Sequence, residues 1–165
     1  MVVGGASGMA GAAVLASLAA LQGGAGRVFA GVLDTASHAS LVGAHPALMV
    51  RQVQSLSYHE ATVVCGCGGG DAVRAELPRI LSTAARLVLD ADALNAVAHD
   101  PQLLQLLQRR GDQQQPTVLT PHPLEAARCL KRSTVAVQGH RLEAAQALAQ
   151  LSGCVVVLKG SGTVV

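Results

Sequence analysis

The sequence predicts an α/β protein built on a mainly parallel sheet flanked by helices. Three observations carry that expectation. Short runs of β-favouring residues recur at 1–3, 27–33, 48–53, 61–65, 86–90, 117–119 and 155–158, and most precede a helix-forming segment. Several of these runs are apolar without alternation, as suits strands covered on both faces. Glycine or polar clusters follow their C-terminal ends, where open α/β sheets place ligands. Leaving aside 48–53, the weakest, the count is about six strands, joined by right-handed crossovers.

Composition narrows the possibilities. A chain of 165 residues, 50% hydrophobic, suits one domain with a substantial core. Only one Phe and one Tyr occur, so Ala, Val and Leu must build that core, with 18 glycines allowing close approach. So few aromatic rings argue against a base-stacking platform. The formal charge is +2 and no basic run exceeds Arg109-Arg110 or Lys131-Arg132, which argues against nucleic-acid or membrane partners. Cys65, Cys67, Cys129 and Cys154 form no C-x-x-C pair, so reduced thiols in a cytoplasmic protein are expected and no protein-built metal site. The apolar opening lacks a positive start, and its first charge is Arg27, which speaks against an export signal. No run approaches the roughly 18 apolar residues of a membrane span.

Taken in order, strand 1–3 enters Gly4-Gly5-Ala6-Ser7-Gly8, and 9–21 reads as a buried helix with almost no polar face. A strand at residue 1 is unusual and suggests a native N-terminus further upstream. Strand 27–33 follows a glycine stop, then a short helix over 35–42 and the weak strand 48–53. Strand 61–65 runs into Gly66-Cys67-Gly68-Gly69-Gly70, with Asp71 expected to cap a helix through about residue 83. Strand 86–90 delivers Asp90, Asp92 and Asn95 to one loop. Asp100-Pro101 opens a helix through about residue 110, and 111–116 reads as a solvated loop. Strand 117–119 leads into Thr120-Pro121-His122-Pro123-Leu124-Glu125 and a helix to Lys131. Ser133 or Thr134 caps a long helix through about residue 151, and Gly153 stops it. The last stretch, CVVVLKGSGTVV, offers two readings. One is a strand buried on both faces leading to a loop whose Gly160 and Gly162 aim N–H groups at an anion beside Lys159; the other is a hairpin with an exposed lysine.

The first glycine turn alone looks like a dinucleotide fingerprint of the short-chain dehydrogenase type. That chemistry requires a Tyr four residues before a Lys. The only tyrosine is Tyr58 and position 62 is Thr, so the dehydrogenase reading fails. Read together, G-G-A-S-G-M-A-G-A-A, G-C-G-G-G, L-D-A-D-A-L-N, T-P-H-P-L-E and L-K-G-S-G-T resemble the ribokinase-like family of NAD(P)H-hydrate dehydratases, in that order and over essentially the whole chain. The resemblance implies a metabolite-repair lyase using ADP, or ATP in some relatives, with Mg2+. Its substrate would be one epimer of NADHX or NADPHX, returned to NADH or NADPH by phosphorylation of the ring hydroxyl and loss of phosphate. It also implies site residues. Ala12, Gly68, Gly69 and Gly70 would surround the hydrated dinucleotide, and His122 would contact it unless it is an ordinary loop histidine. Asp90 and Asn95 would position substrate or metal-bound phosphate, while Asp92 could equally be an N-cap. Lys159, Gly160, Ser161, Gly162 and Thr163 would hold the adenine nucleotide's phosphates. A homo-oligomer is expected.

Three departures from the family pattern carry expectations. Cys67 replaces a proline, predicting a looser loop. Leu124 stands where relatives have Gly, predicting crowding or an altered backbone angle. The family's glycine-rich G-T-G-D turn, with its general base, would lie beyond Val165. The expectation is therefore a ribokinase-like domain over 1–165, incomplete at its C-terminus, without useful turnover and with one sheet side uncovered. Two alternatives stay open: a small-molecule kinase of the same fold acting on a vitamin precursor or sugar, and a non-catalytic nucleotide-binding remnant.

Overall fold

The computed structural model describes residues 1–165, in which seven strands form one sheet in the order β3-β2-β1-β4-β5-β6-β7. The strands are β1 (Val2–Gly4), β2 (Phe29–Val32), β3 (Met49–Arg51), β4 (Thr62–Cys65), β5 (Arg86–Leu89), β6 (Thr117–Leu119) and β7 (Val155–Val156), and every neighbouring pair is parallel. The chain begins mid-sheet, builds outward to β3, then crosses back to β4 and proceeds to β7. The switch point therefore lies between β1 and β4. Eight α-helices make the connections: α1 (Ala10–Gln22), α2 (His38–Ala44), α3 (Leu77–Thr83), α4 (Ala91–His99), α5 (Pro101–Asp112), α6 (Pro123–Leu130), α7 (Thr134–Gly139) and α8 (Arg141–Ser152). None is long and apolar enough to cross a membrane.

Consecutive strand residues point to opposite faces, and the core divides accordingly. Val3, Val63, Leu87, Leu89, Leu119 and Val156 join one large apolar cluster with residues of α3 to α8. Val2, Ala30 and Val32 join a smaller one under Ala13 and Val14 of α1. The smaller cluster does not extend across the sheet. Val64, Val88, Val118 and Val155 stand in register on one face; the first three are half-buried and Val155 is 53% exposed. One sheet side is thus incompletely covered.

Several sequence expectations are corrected. The last strand is only Val155–Val156 and lies at the sheet edge with one face exposed, so it is not buried on both sides. Helix α1 is not buried either: only Ala13, Val14 and Ser17 are inside and Leu15 is 70% exposed. The long helix expected over 134–151 is two, because His140 leaves helical geometry (φ −134°, ψ 59°) directly after Gly139. Asp71 makes no cap, and the backbone it starts is a 3-10 turn over Asp71–Ala75. Asp92 and Asn95 lie on α4 and not in a loop.

Candidate functional site

The loops after β1 and β4 meet at the switch point. Gly5 and Ala6 donate their N–H groups to the carbonyls of Cys67 and Gly68 at 2.9 and 2.7 Å, which stitches the loops together. Gly69 donates to Gly66 at 3.0 Å, and Gly70 to the Asp92 carboxylate at 2.8 Å. The loop containing Cys67 is therefore tied at four points and is not loose. Ala12 meets Gly68: a side-chain carbon on Gly68 would stand 2.8 Å from Ala12 Cβ. The carboxylate that any anion beside Gly70 must displace is that of Asp92. Burial pushes the Cys67 thiol up, helped by the Asp90 charge and opposed by Lys159.

Asp90 ends β5 and gathers the centre of the site. Its Oδ1 accepts from Lys159 Nζ at 2.5 Å and from Thr120 Oγ1 at 2.8 Å. Lys159 is thus already paired with a carboxylate, and a phosphate would compete with Asp90 for it. Ala91, next in the chain, takes a left-handed φ of 47°, a strained backbone for a residue with a side chain. Asn95 is directed elsewhere, its Oδ1 accepting from Arg128 Nη1 at 2.7 Å, so the structure does not join it to Asp90. No three His, Cys, Asp or Glu side chains gather to hold a metal ion.

His122 caps α6. Its Nδ1 accepts from the N–H groups of Leu124 and Glu125 at 3.1 and 3.4 Å, which puts the ring proton on Nε2, 3.0 Å from Glu125 Oε1. The buried Glu125 carboxylate also accepts the His122 N–H at 2.8 Å, completing a capping box. Both ring nitrogens are engaged, leaving an exposed ring face and edge instead of a free base. Leu124 is an exposed residue of the first helical turn with no left-handed angle, so the crowding expected from it does not occur.

The terminal stretch combines its two readings. Lys159 donates its N–H to Pro121 at 2.8 Å, setting this loop against the one carrying His122. Leu158 and Val164 exchange N–H···O bonds in an antiparallel bridge, as in a hairpin. Within that bridge the carbonyls of Leu158, Lys159 and Gly162 converge on Arg141 Nη2 at 2.9, 3.2 and 3.1 Å. The N–H groups of Gly160, Ser161, Gly162 and Thr163 have no partner in the chain. Carbonyls drawn to one guanidinium and N–H groups left free suit a phosphate. Arg128 and Arg141 went unnoticed in the sequence, and Thr120 and Glu125, though inside the T-P-H-P-L-E motif, were given no role. Only Glu125 carried a local signal, standing three residues after a helix N-cap with Pro between.

Strand order and joined glycine loops at the switch point define a parallel, doubly wound α/β protein whose candidate ligand site lies at the C-terminal ends of its strands. The chain belongs to the NAD(P)H-hydrate dehydratase family: a family model of that description matches residues 1–165. It is 40% identical over 170 residues to the ADP-dependent (S)-NAD(P)H-hydrate dehydratase of Neisseria meningitidis, covering 99% of this chain and 56% of that protein. It is 36% identical to the bifunctional NAD(P)H-hydrate repair enzyme Nnr of Escherichia coli, covering 100% of this chain and 31% of the relative. The chain therefore spans just over half of the first relative and about a third of the second. Among solved structures it resembles the ADP/ATP-dependent NAD(P)H-hydrate dehydratase of Bacillus subtilis co-crystallised with ATP/Mg2+ and soaked with CoA. That match has a TM-score of 0.76 at 25% identity, covering 98% of this chain and 59% of the other. The ribokinase-like fold and the family resemblance read from the motifs are borne out.

Proposed function

We propose that this chain carries the substrate wall and nucleotide-phosphate loop of an ADP-dependent dehydratase, a lyase that returns NADHX or NADPHX to the reduced cofactor in the cytoplasm. The observation that supports this most is the loop Lys159–Thr163, with four N–H groups free beside a lysine and its carbonyls gathered on Arg141. ADP, or ATP, fits that loop, with Gly160, Ser161, Gly162 and Thr163 donating to phosphate oxygens and Mg2+ arriving on the phosphates. The nucleotide supplies the phosphoryl chemistry when bound. Asp90 orients Lys159 through Oδ1, and its Oδ2 is unengaged within the chain. The glycine loops and Ala12 form the wall for the hydrated dinucleotide, and the exposed ring of His122 offers it a flat surface.

Binding tests this. Thermal-shift titration with ADP and Mg2+, with NADH hydrate, and with NADH should show stabilisation by the first two, about 2.7 kcal/mol at a hundredfold excess over Kd. Indifference to both ADP and the hydrate would overturn the reading. Stabilisation by a vitamin precursor or sugar, with none by the hydrate, would transfer it to a kinase of the same fold.

A further inference from the structure

Beside the glycine loops a cleft of about 500 Å³ opens along α4. Its floor is one helical face, Asp92, Asn95, Ala96 and His99, at the i, i+3, i+4, i+7 spacing. Its walls are Gly70 and the turn bearing Asp71 and Arg74 on one side, and Arg128 of α6 on the other. Only one lining residue is hydrophobic, unlike the cavity under α5 and α8 or the groove along the β7 edge.

The two ends of this cleft differ in charge. Near the start of α4 stand Asp92, one of whose oxygens accepts from Gly70 while the other has no donor in the chain, and the exposed Asp71. One to two turns further along stand the cations, Arg128 at Asn95 and Arg74 at Asp100. Arg128 is held at 2.7 Å by the neutral Asn95 side chain, so that bond leaves its charge uncompensated. Arg74 reaches only Asp100, at a long 3.4 Å, with its side chain 47% exposed. His99 uses Nδ1 on the Asn95 carbonyl at 2.7 Å and leaves Nε2 unengaged. Seven residues of α-helix separate Asp92 from His99 by roughly 10 Å. Carboxylates accept from sugar hydroxyls, and guanidinium groups hold phosphate. We propose that this cleft is a subsite for a ribose 5-phosphate unit, with Asp92 and Asp71 accepting from the ribose hydroxyls and Arg74 and Arg128 gripping the phosphate. Resting on the function proposed above, it assigns that unit to the hydrated dinucleotide and not to ADP, because the cleft adjoins Gly70 while the Lys159 loop lies beyond β7.

The test compares the unaltered protein with Arg74→Gln/Arg128→Gln and with Arg128→Lys, using calorimetric titration with NADH hydrate, ADP and ribose 5-phosphate. The double variant should lose at least tenfold in affinity for the hydrate and for ribose 5-phosphate, with ADP affinity unchanged. Arg128→Lys should lose less. Ribose 5-phosphate should also shift the Arg74 and Arg128 Nε–H resonances of labelled unaltered protein, a readout independent of variant folding. Unchanged hydrate affinity in the double variant, or unmoved resonances, would overturn the subsite while leaving the proposed function standing. An equal loss for ADP would assign the cleft to the other nucleotide and overturn it too. Failure of the unaltered protein to bind the hydrate at all would sink both.

Discussion

Arg110 is 1% exposed and faces no carboxylate, yet it joins three elements. Its Nη1 donates to the carbonyls of Leu81 and Ala84 at 3.0 and 2.9 Å, where α3 ends, and its Nε donates to Thr117 Oγ1 at 2.9 Å on β6. Arg110→Ala leaves the two carbonyls buried without donors, at about 1 to 3 kcal/mol each, and opens a space that adds about 2 kcal/mol more. Relief of the desolvated guanidinium offsets part of this, and Nη2, which has no partner, makes that relief appreciable. The net loss expected is about 4 kcal/mol for Ala and about 2 kcal/mol for Arg110→Met, which keeps most of the volume. At roughly 2 to 4 °C per kcal/mol for a chain of this size, Ala should lower Tm by about 8 to 16 °C. Urea unfolding followed by circular dichroism measures both variants at unchanged slope. A Met variant as stable as the unaltered protein would refute the reasoning, showing that the carbonyl bonds do not outweigh the buried charge.

Other consequences are open to measurement. Arg141→Ala should weaken ADP binding ten- to a hundredfold, about one or two charge-assisted bonds' worth of loop order, while leaving hydrate affinity intact; equal losses for both ligands would deny it a role specific to the loop. Burial raises the Cys129 thiol from 9.0 to about 11 and the Tyr58 hydroxyl from 10.0 to about 12, the latter despite Arg79. Because the folded chain keeps these protons longer than the unfolded one, stability should be full below pH 9 and fall as pH rises from 9 toward 12. Tyr58→Phe should flatten the upper part of that fall in urea midpoints. The half-covered valines Val64, Val88 and Val118 should bind the dye ANS in the native state, and Val118→Thr should reduce the signal; dye binding indifferent to that change would place the exposed surface elsewhere.

The sheet was legible because Val and Leu runs announce buried strands and glycine clusters mark their ends. What the runs could not disclose was position in the sheet. CVVVL looks the same at an edge as at the centre, so the exposure of Val155 depended on which strands would flank it. Gly139 was the available signal that the helix expected over 134–151 would break. Side-chain partners across the fold were the least legible. Asp71 and Asp92 are equally plausible caps in sequence, and only the approach of α4 to the glycine loop gives Gly70 to Asp92. Lys159 likewise looked like a free cation until β5 and β6 brought Asp90 and Thr120 beside it. The motifs told which loops gather at the C-terminal ends of the strands, while the pairings within them awaited the fold.

Gly66 lies where the second glycine loop meets the start of α4. With φ at 118°, a side-chain carbon there would lie 1.9 Å from the Asp90 carbonyl oxygen and 2.7 Å from Ala93 Cβ. The second glycine loop and the start of α4 are thus in direct backbone contact, with no compressible layer between them. A displacement of that loop therefore bears directly on Asp90, and through its bond on Lys159. Under the function proposed above, the two ligands would sense one another mechanically, across the thickness of one missing methyl group.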